Sequence, residues 1–454
     1  MTTTAAASQH YLETCLRLPD DPLVTLSRLA AAGVHRDYAI YENDGQWSYA
    51  GGALAEISLD RSGARLRGAE SAELTELAWD GAPLRQVHKL LERVPFADWR
   101  AYGWAAFELA YAKGGDTSLV GGERLLHLVV PHTEVRIKGG WVQLRSADAT
   151  TLKAAAAALS TDGAQVADTV RPVDVRGHGA DAYERAVELA IADIRQRKLQ
   201  KVILSRVVEL REEIDFIGTY VAGRRGNNPA RSFLLRLGGV EAVGFSPEIV
   251  VKVDSDGRVV SQPLAGTRAL TDDPELNERL RSDLVTDAKE IFEHAISVKI
   301  ALDDIESICA PGSVAVEEYM AVRHRGSVQH LASRVSGRLA EGYGPWDVFA
   351  AAFPAVTASG VPKEAAYASI RTHEPQARGL YSGAVLTVDQ DGAMDAALVL
   401  RAVYRRDGRT WLQAGAGVVG QSRPAREFEE TCEKLESVAR FLVPSTRLEG
   451  AAHA

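Results

Sequence analysis

The stretch Asp181–Leu210, DAYERAVELAIADIRQRKLQKVILSRVVEL, decides the class of fold. Its first part, Asp181–Arg197, repeats apolar residues at helical spacing and reads as an amphipathic helix. Its last ten residues, Lys201–Leu210, are rich in β-branched side chains and read as a strand. Downstream, further strands are expected at Ser232–Leu237, Ala242–Lys252, Gly326–Val335, Gly379–Val388, Ala396–Tyr404 and Thr410–Ala414. Long helices are expected over Asp287–Ile305 and from Pro424 onward. These helices alternate with clusters of strands, so no regular βαβ rhythm is set up. The pattern predicts an α+β fold with large, mostly antiparallel sheets. Upstream, strand-like runs at Asp37–Tyr41, Leu126–Val130 and Trp141–Arg145 and a helix over Ala154–Leu159 sit among Gly and Asp turns. The segment Thr161–His178 bears Asp, Gly and Pro and few apolar residues. It is the best candidate boundary between a motif-poor half, 1–175, and a second half, 180–442, within one 1–454 unit.

Composition narrows the class further. The chain has 454 residues with 52 Lys+Arg against 61 Asp+Glu, a net charge of −9, and is 46% hydrophobic. This is ordinary for a folded globular protein and excludes disorder at the level of the whole chain. The acidic balance argues against nucleic acid or an anionic membrane as partner. No apolar run approaches the ~20 residues of a membrane-spanning helix, and the opening MTTTAAASQHYLETC lacks the basic start and apolar core of a secretion signal. Three scattered cysteines, Cys15, Cys309 and Cys432, make neither a disulfide framework nor a zinc ligand set. A cytoplasmic protein large enough to be an enzyme is expected.

Two helices place carboxylates beside an apolar stripe. At roughly 100° per residue, Ile291, Ala295, Val298, Leu302 and Ile305 share one stripe, with Glu290, Glu293 and Ser297 at its edge. In the last long helix the stripe is Phe428, Cys432, Leu435, Val438 and Leu442, with Glu427, Glu430 and Lys434 at the edge. A Glu-x-x-Glu pair on a helix is usually a solvated face. Two such pairs, each at the border of a core, also suit a hard cation such as Mg²⁺ completed by water or substrate oxygens. Gly415-Ala416-Gly417-Val418-Val419-Gly420 matches GxGxxG, but only 34 residues follow Gly420, too few for the dinucleotide-binding unit. Two readings of these glycines stay open: a tight strand-to-helix turn, or a place where backbone N–H groups approach an anion.

The motifs of the second half, in order, are KVILSR from Lys201, GFSPE ending at Glu248, PLAGTRAL with Gly266 and Thr267, and KEIFEHAISV over Lys289–Val298. RGSVQHL with His330, FPAVTASGVPK with Thr357, RGLYSGAV with Tyr381, LVLRAVY with Arg401, AGAGVV and REFEETCEKL follow. This set resembles the chorismate-utilising enzymes, which include anthranilate, aminodeoxychorismate, isochorismate and salicylate synthases. It covers about 180–442, and YENDGQW (Tyr41–Trp47) and GWAAFELA (Gly103–Ala110) extend the likeness into the first half, nearest to the salicylate-forming branch of mycobactin-type siderophore pathways. Leu90-Leu91-Glu92-Arg93 is similar to the LLES segment of feedback-inhibited anthranilate synthases, but Arg replaces Ser and the stretch reads as a structural helix.

The resemblance implies the chemistry. Water-using members carry a lysine where Lys201 stands, which implies that Lys201 activates water for attack at carbon 2 of chorismate. Glu248 matches the family's proton donor to the hydroxyl leaving carbon 4. Thr357 fits members that go on to release pyruvate by an intramolecular hydrogen transfer. Mg²⁺ held by Glu293 and Glu430, with Glu290 and Glu427 close by, is implied for the ring carboxylate. Arg401 suits the enolpyruvyl carboxylate, assisted by Tyr381, Gly415, Ala416 and Gly417. Gly266, Thr267, His330 and Lys434 are further expected contacts of substrate. In isolation each has a plainer reading: a solvated lysine, a turn glutamate, a structurally paired arginine, a core histidine. The expectation is thus a Mg²⁺-dependent salicylate synthase, a monomer needing no glutaminase subunit. Rivals are an isochorismate synthase that releases its intermediate, an ammonia-using relative, and a non-catalytic dianion-binding protein.

Overall fold

Strand Lys201–Leu210 forms over the range its β-branched run predicts and lies next to one edge of a large sheet. The structure is a computed structural model and describes residues 9–68, 74–79, 81–160 and 169–445. Part of the expected boundary, 161–168, and the first eight residues of the opening segment lie outside the described residues. Among the described residues there are two sheets, of eleven and twelve strands, and their strand pairs are antiparallel throughout. The α+β expectation therefore holds.

Strands from both halves of the chain interleave. In the first sheet Tyr38–Asn43 pairs with Arg231–Leu237, and in the second Arg100–Ala105 pairs with Ala384–Asp389. The sheets pack face to face through Tyr41, Phe233, Leu235 and Tyr404 of the first and Tyr102, Trp104, Val385 and Ala397 of the second. Helices cover the outer faces. Pro83–Leu91, Ala288–Glu306 and Pro345–Ala352 lie against the second sheet, while Pro22–Ala31, Phe216–Gly226 and Pro424–Ala439 lie against the first. The Leu90–Arg93 segment ends the first of these helices, with Leu90 and Leu91 buried in its core. No helix among the described residues is long and apolar enough to cross a membrane, and all three cysteines are free thiols.

Three expected strands differ from those observed, and two of the differences shape the site. Ala242–Lys252 is two strands, Val240–Ser246 and Ile249–Val253, one in each sheet. Ala396–Tyr404 is likewise Met394–Leu398 and Ala402–Arg406, again one in each sheet. Each apolar run crosses from one sheet to the other, and Glu248 and Arg401 stand in the two crossings. Gly379–Val388 is extended only from Ala384, because Gly379–Gly383 turns, with Gly379 and Ser382 at positive φ.

Candidate active site

Alternation along strand Lys201–Leu210 sends Val202 and Leu204 into the core beneath the helices Ala180–Arg195 and Lys363–His373. Lys201 and Ile203 therefore point to the opposite face. There a cavity is lined by Glu248, Gly266, Thr267, Glu293, His330, Thr357, Tyr381, Arg401, Gly415, Gly417, Glu430 and Lys434, together with Ile203, Leu264, Leu400 and Gln413. Twelve of the residues singled out in the sequence thus share one wall. Lys201, Glu290, Glu427 and Ala416 do not line it. Ala416 points away because it alternates with Gly415 and Gly417, which pair with Ser205 and Ile203 inside a strand. Gly415–Val418 is thus a strand segment, and only Gly420 lies in the turn that leads to the last helix. A Cβ on Gly417 would lie 2.2 Å from Glu293 Oε1, and one on Gly415 would lie 2.9 Å from the Tyr381 hydroxyl. Gly417→Ala is expected to push Glu293 aside and lower kcat/KM by about 10²-fold with little loss of melting temperature. Steady-state kinetics beside a thermal melt checks this.

The carboxylates are buried more deeply than amphipathicity predicts. Glu290, Glu293, His294 and Ser297 form the inward face of helix Ala288–Glu306, and Ile291 and Ala295 are only half-buried. Neutral His294 holds this face down through Ala265 O at 3.2 Å and Ser333 Oγ at 2.7 Å. Glu427 and Glu430 are buried on helix Pro424–Ala439. Burial of four carboxylates is made possible by lysines and by Arg268, whose Nη1 donates to Glu290 Oε1 at 2.9 Å. Lys201 Nζ lies 3.0 Å from Glu293 Oε1 and donates to Ser297 Oγ at 3.1 Å. Lys434 lies 2.8 Å from Glu430 and donates to Gly415 O at 2.9 Å. Lys289 lies 3.3 Å from Glu427 and 3.6 Å from Glu290. Lys289 was not foreseen, because its main partner is on the other helix and no spacing signals the pair.

These contacts set the acidities. Burial and then Glu430 raise Glu427 to about 7. Burial would raise Glu430 too, but Lys434 and Lys289 prevail and hold it down at about 2. Glu427 Oε2 is buried with no hydrogen-bond partner, an acceptor left over in a cluster of hard oxygens. That donor chemistry fits a divalent cation taken up with only part of its shell from protein. No three His, Cys, Asp or Glu groups among the described residues are gathered into a closed cage.

Glu248, which also lines the cavity, is 2% exposed. Burial raises its carboxyl to about 7, against the pull of the Thr357 hydroxyl and the Leu264 N–H. The Thr357 hydroxyl donates to Oε1, and Leu264 N donates to Oε2 at 2.6 Å. A bulge at Gly266, at φ +82°, turns Thr267 N toward Glu290 Oε2 at 3.1 Å. Arg401 sits at φ +51° in its crossing, a left-handed conformation unusual for a non-glycine residue. Arg401 is 8% exposed, and its guanidinium donates to Arg325 O at 2.8 Å and to His330 Nε2 and has no carboxylate partner among the described residues. Accepting from Arg401, His330 carries its proton on Nδ1, next to Thr267 Oγ1 at 3.1 Å. Burial and Arg401 hold His330 neutral, well below the usual histidine range. Burial and Arg325 lower Arg401 to about 10. A buried guanidinium without a counter-ion is a site prepared for an anion.

Known proteins resemble this chain in sequence and fold. Residues 37–440 match the model of the chorismate binding enzyme family. A salicylate synthase of Mycolicibacterium paratuberculosis is 41% identical over 426 residues, 94% of each chain. An anthranilate synthase component 1 of Haloarcula marismortui is 39% identical over 266 residues, 58% of this chain and about half (49%) of that relative. Among solved structures, the menaquinone-specific isochorismate synthase of Escherichia coli superposes with a TM-score of 0.74 over 96% of each chain at 21% identity, a likeness of fold.

Proposed function

Because this chain belongs to the chorismate binding enzyme family, we propose that it is a salicylate synthase, converting chorismate through isochorismate to salicylate and pyruvate. The observation that carries the reading is a single cavity joining Glu248, an acid held near neutrality, to Arg401, a buried cation with no carboxylate partner among the described residues. Chorismate is a dianion bearing one hydroxyl that must leave. The likeness to a salicylate synthase over 94% of each chain supports the final product.

In this reading Arg401 grips the enolpyruvyl carboxylate, and neutral His330 keeps the guanidinium aimed. Glu248, protonated, gives its proton to the hydroxyl leaving carbon 4. Lys201 takes a proton from the water that attacks carbon 2. Lys201 is fully buried, its Nζ 3.0 Å from Glu293 Oε1, so it serves as the base only as the neutral amine, once its own proton has left and it has turned from that carboxylate to the water. Glu293 and Glu430, backed by Glu290 and Glu427, would hold Mg²⁺, which supplies a Lewis-acidic contact for the ring carboxylate. Pyruvate release needs no further acid or base. It needs the enolpyruvyl arm folded over the ring, which Arg401, Tyr381 and Thr357 arrange. The core 180–442 carries this chemistry, and 1–175 supplies strands to both sheets. We place the enzyme in the cytoplasm, where free thiols persist, as a monomer without a glutaminase subunit. We assign its product to siderophore assembly.

The test is to incubate the protein with chorismate, with and without Mg²⁺, and to follow salicylate fluorescence and pyruvate. Equimolar salicylate and pyruvate, lost on chelation, are expected. Isochorismate alone would replace this reading with the isochorismate synthase, and no consumption at all would overturn it.

A further inference from the structure

Strand Lys201–Leu210 runs out of edge partner almost where it begins. The two-residue strand Gly360–Val361 pairs only with Lys201 and Val202, and Ile203 N still reaches Ser359 O at 2.8 Å. Beyond that point the Ile203 carbonyl and the Ser205 N–H face the same way, since alternate residues of a strand address the same neighbour. No strand among the described residues receives them, and buried backbone groups need partners. A pair of side chains takes the place of a strand. Arg378 Nη2 donates to Ile203 O at 2.7 Å, and Ser205 N donates to Glu374 Oε1 at 2.8 Å. The two side chains are forked together, Nε to Oε2 at 2.9 Å and Nη2 to Oε1 at 2.5 Å.

The same guanidinium reaches one segment further. Nη1 donates at 2.8 Å to the carbonyl of Ala358, the residue after Thr357. Its faces lie against Phe107, 4.5 Å from the ring centre, and Tyr381, 5.5 Å away. Glu108 fixes its backbone, accepting from Arg378 N at 2.7 Å and Gly379 N at 3.0 Å. Arg378 is 2% exposed and does not line the cavity.

We propose that Glu374 and Arg378 are positioning residues. They complete the edge of the Lys201 strand in place of a backbone partner and lock the Thr357 turn to that strand, so that the Thr357 hydroxyl meets Glu248. This rests on the roles given above to Glu248 and Thr357. A pair present only for stability would make no connection between Arg378 and the acid.

The test is a double-mutant cycle on the full chain with Arg378→Lys, which keeps the charge and loses the fork, and Thr357→Val. Arg378→Lys is expected to lower kcat for chorismate by about 10- to 100-fold with KM changed less than about 3-fold. Thr357 donates to the Glu248 carboxylate and lowers its pKa, so losing that bond raises it. Both single variants should therefore move the alkaline limb of the pH–rate profile upward, and by similar amounts. The other charges facing Glu248, namely Lys201, Lys434 and Arg401, stay in place in both. The double variant should be no slower than Thr357→Val alone. Losses that multiply, or an alkaline limb that stays put while the rate falls, would overturn the proposal. If Arg378→Lys does not fold, Glu374→Gln, which keeps an acceptor for Ser205 N, goes through the same cycle and is judged by the same outcomes. A wild-type protein that leaves chorismate untouched would instead defeat the assignment of the site.

Discussion

Glu248→Gln is expected to slow chorismate consumption by ~10²- to 10⁴-fold, the usual worth of a positioned acid, while leaving the fold intact. Gln has nearly the same shape, and its amide oxygen can still accept from Leu264 N, as Oε2 does at 2.6 Å. What it lacks is the transferable proton. In the wild type that proton is held because burial moves the carboxyl from its ordinary 4.5 to about 7. The rate governed by Glu248 should thus fall as pH rises through about 7. Stability follows the same group. With its pKa raised in the folded state, the fold binds the proton more tightly than the unfolded chain between about 4.5 and 7. Stability is therefore greatest, as far as Glu248 is concerned, below that window and declines as pH rises across it. The shift corresponds to about 3 kcal/mol at most. Glu248→Gln, carrying no charge to bury, should lose this slope and unfold later than wild type at pH 8. Rate–pH profiles and denaturant melts at pH 5 and pH 8 check both halves. A variant with wild-type turnover would remove Glu248 from the mechanism. An inactive variant less stable than wild type at pH 8 would show that the carboxylate is needed for structure.

How much of this was legible in the sequence depends on the range of the forces involved. The helices Ala288–Glu306 and Pro424–Ala439 and the strand Lys201–Leu210 were visible because periodicity and β-branching are local. Of the two crossings, Pro247-Glu248 showed only as a turn reading inside an expected strand, and Val399–Arg401 did not show. Apolar strand-forming residues flank both, and only the second sheet decides that the run must break. The Glu pairs were seen, but their burial was underestimated. A helix pattern places carboxylates at an edge with Lys434 one turn beyond Glu430, whereas here Lys289 and Lys201 also reach across from another helix and a strand and let them go inside. The motif RGLYSGAV displayed Arg378 without its task, which follows only from where Gly360–Val361 stops.

Lys201→Ala separates the two steps of the proposed reaction. From chorismate, salicylate is expected to fall at least ~10³-fold, because water at neutral pH needs a base to attack the ring. Supplied with isochorismate, the same variant should still release salicylate and pyruvate within about 10-fold of wild type. The second step is an intramolecular transfer that depends on folding the enolpyruvyl arm, and Lys201 does not touch the residues that fold it. The substitution also leaves Glu293 without its partner at 3.0 Å, and an unpaired buried carboxylate destabilises. Ser297 Oγ nevertheless stays bonded to Glu293 O at 2.8 Å, which keeps that turn of the helix in place. Lys201→Gln, able to offer an amide N–H to Glu293, controls for the lost contact and should show the same split between the two substrates. Equal loss of both reactions in both variants would mean that Lys201 is there to neutralise Glu293 and not to activate water. Undiminished use of chorismate would mean that another group serves as the base. Only a base that acts in the first step alone abolishes one reaction and spares the other.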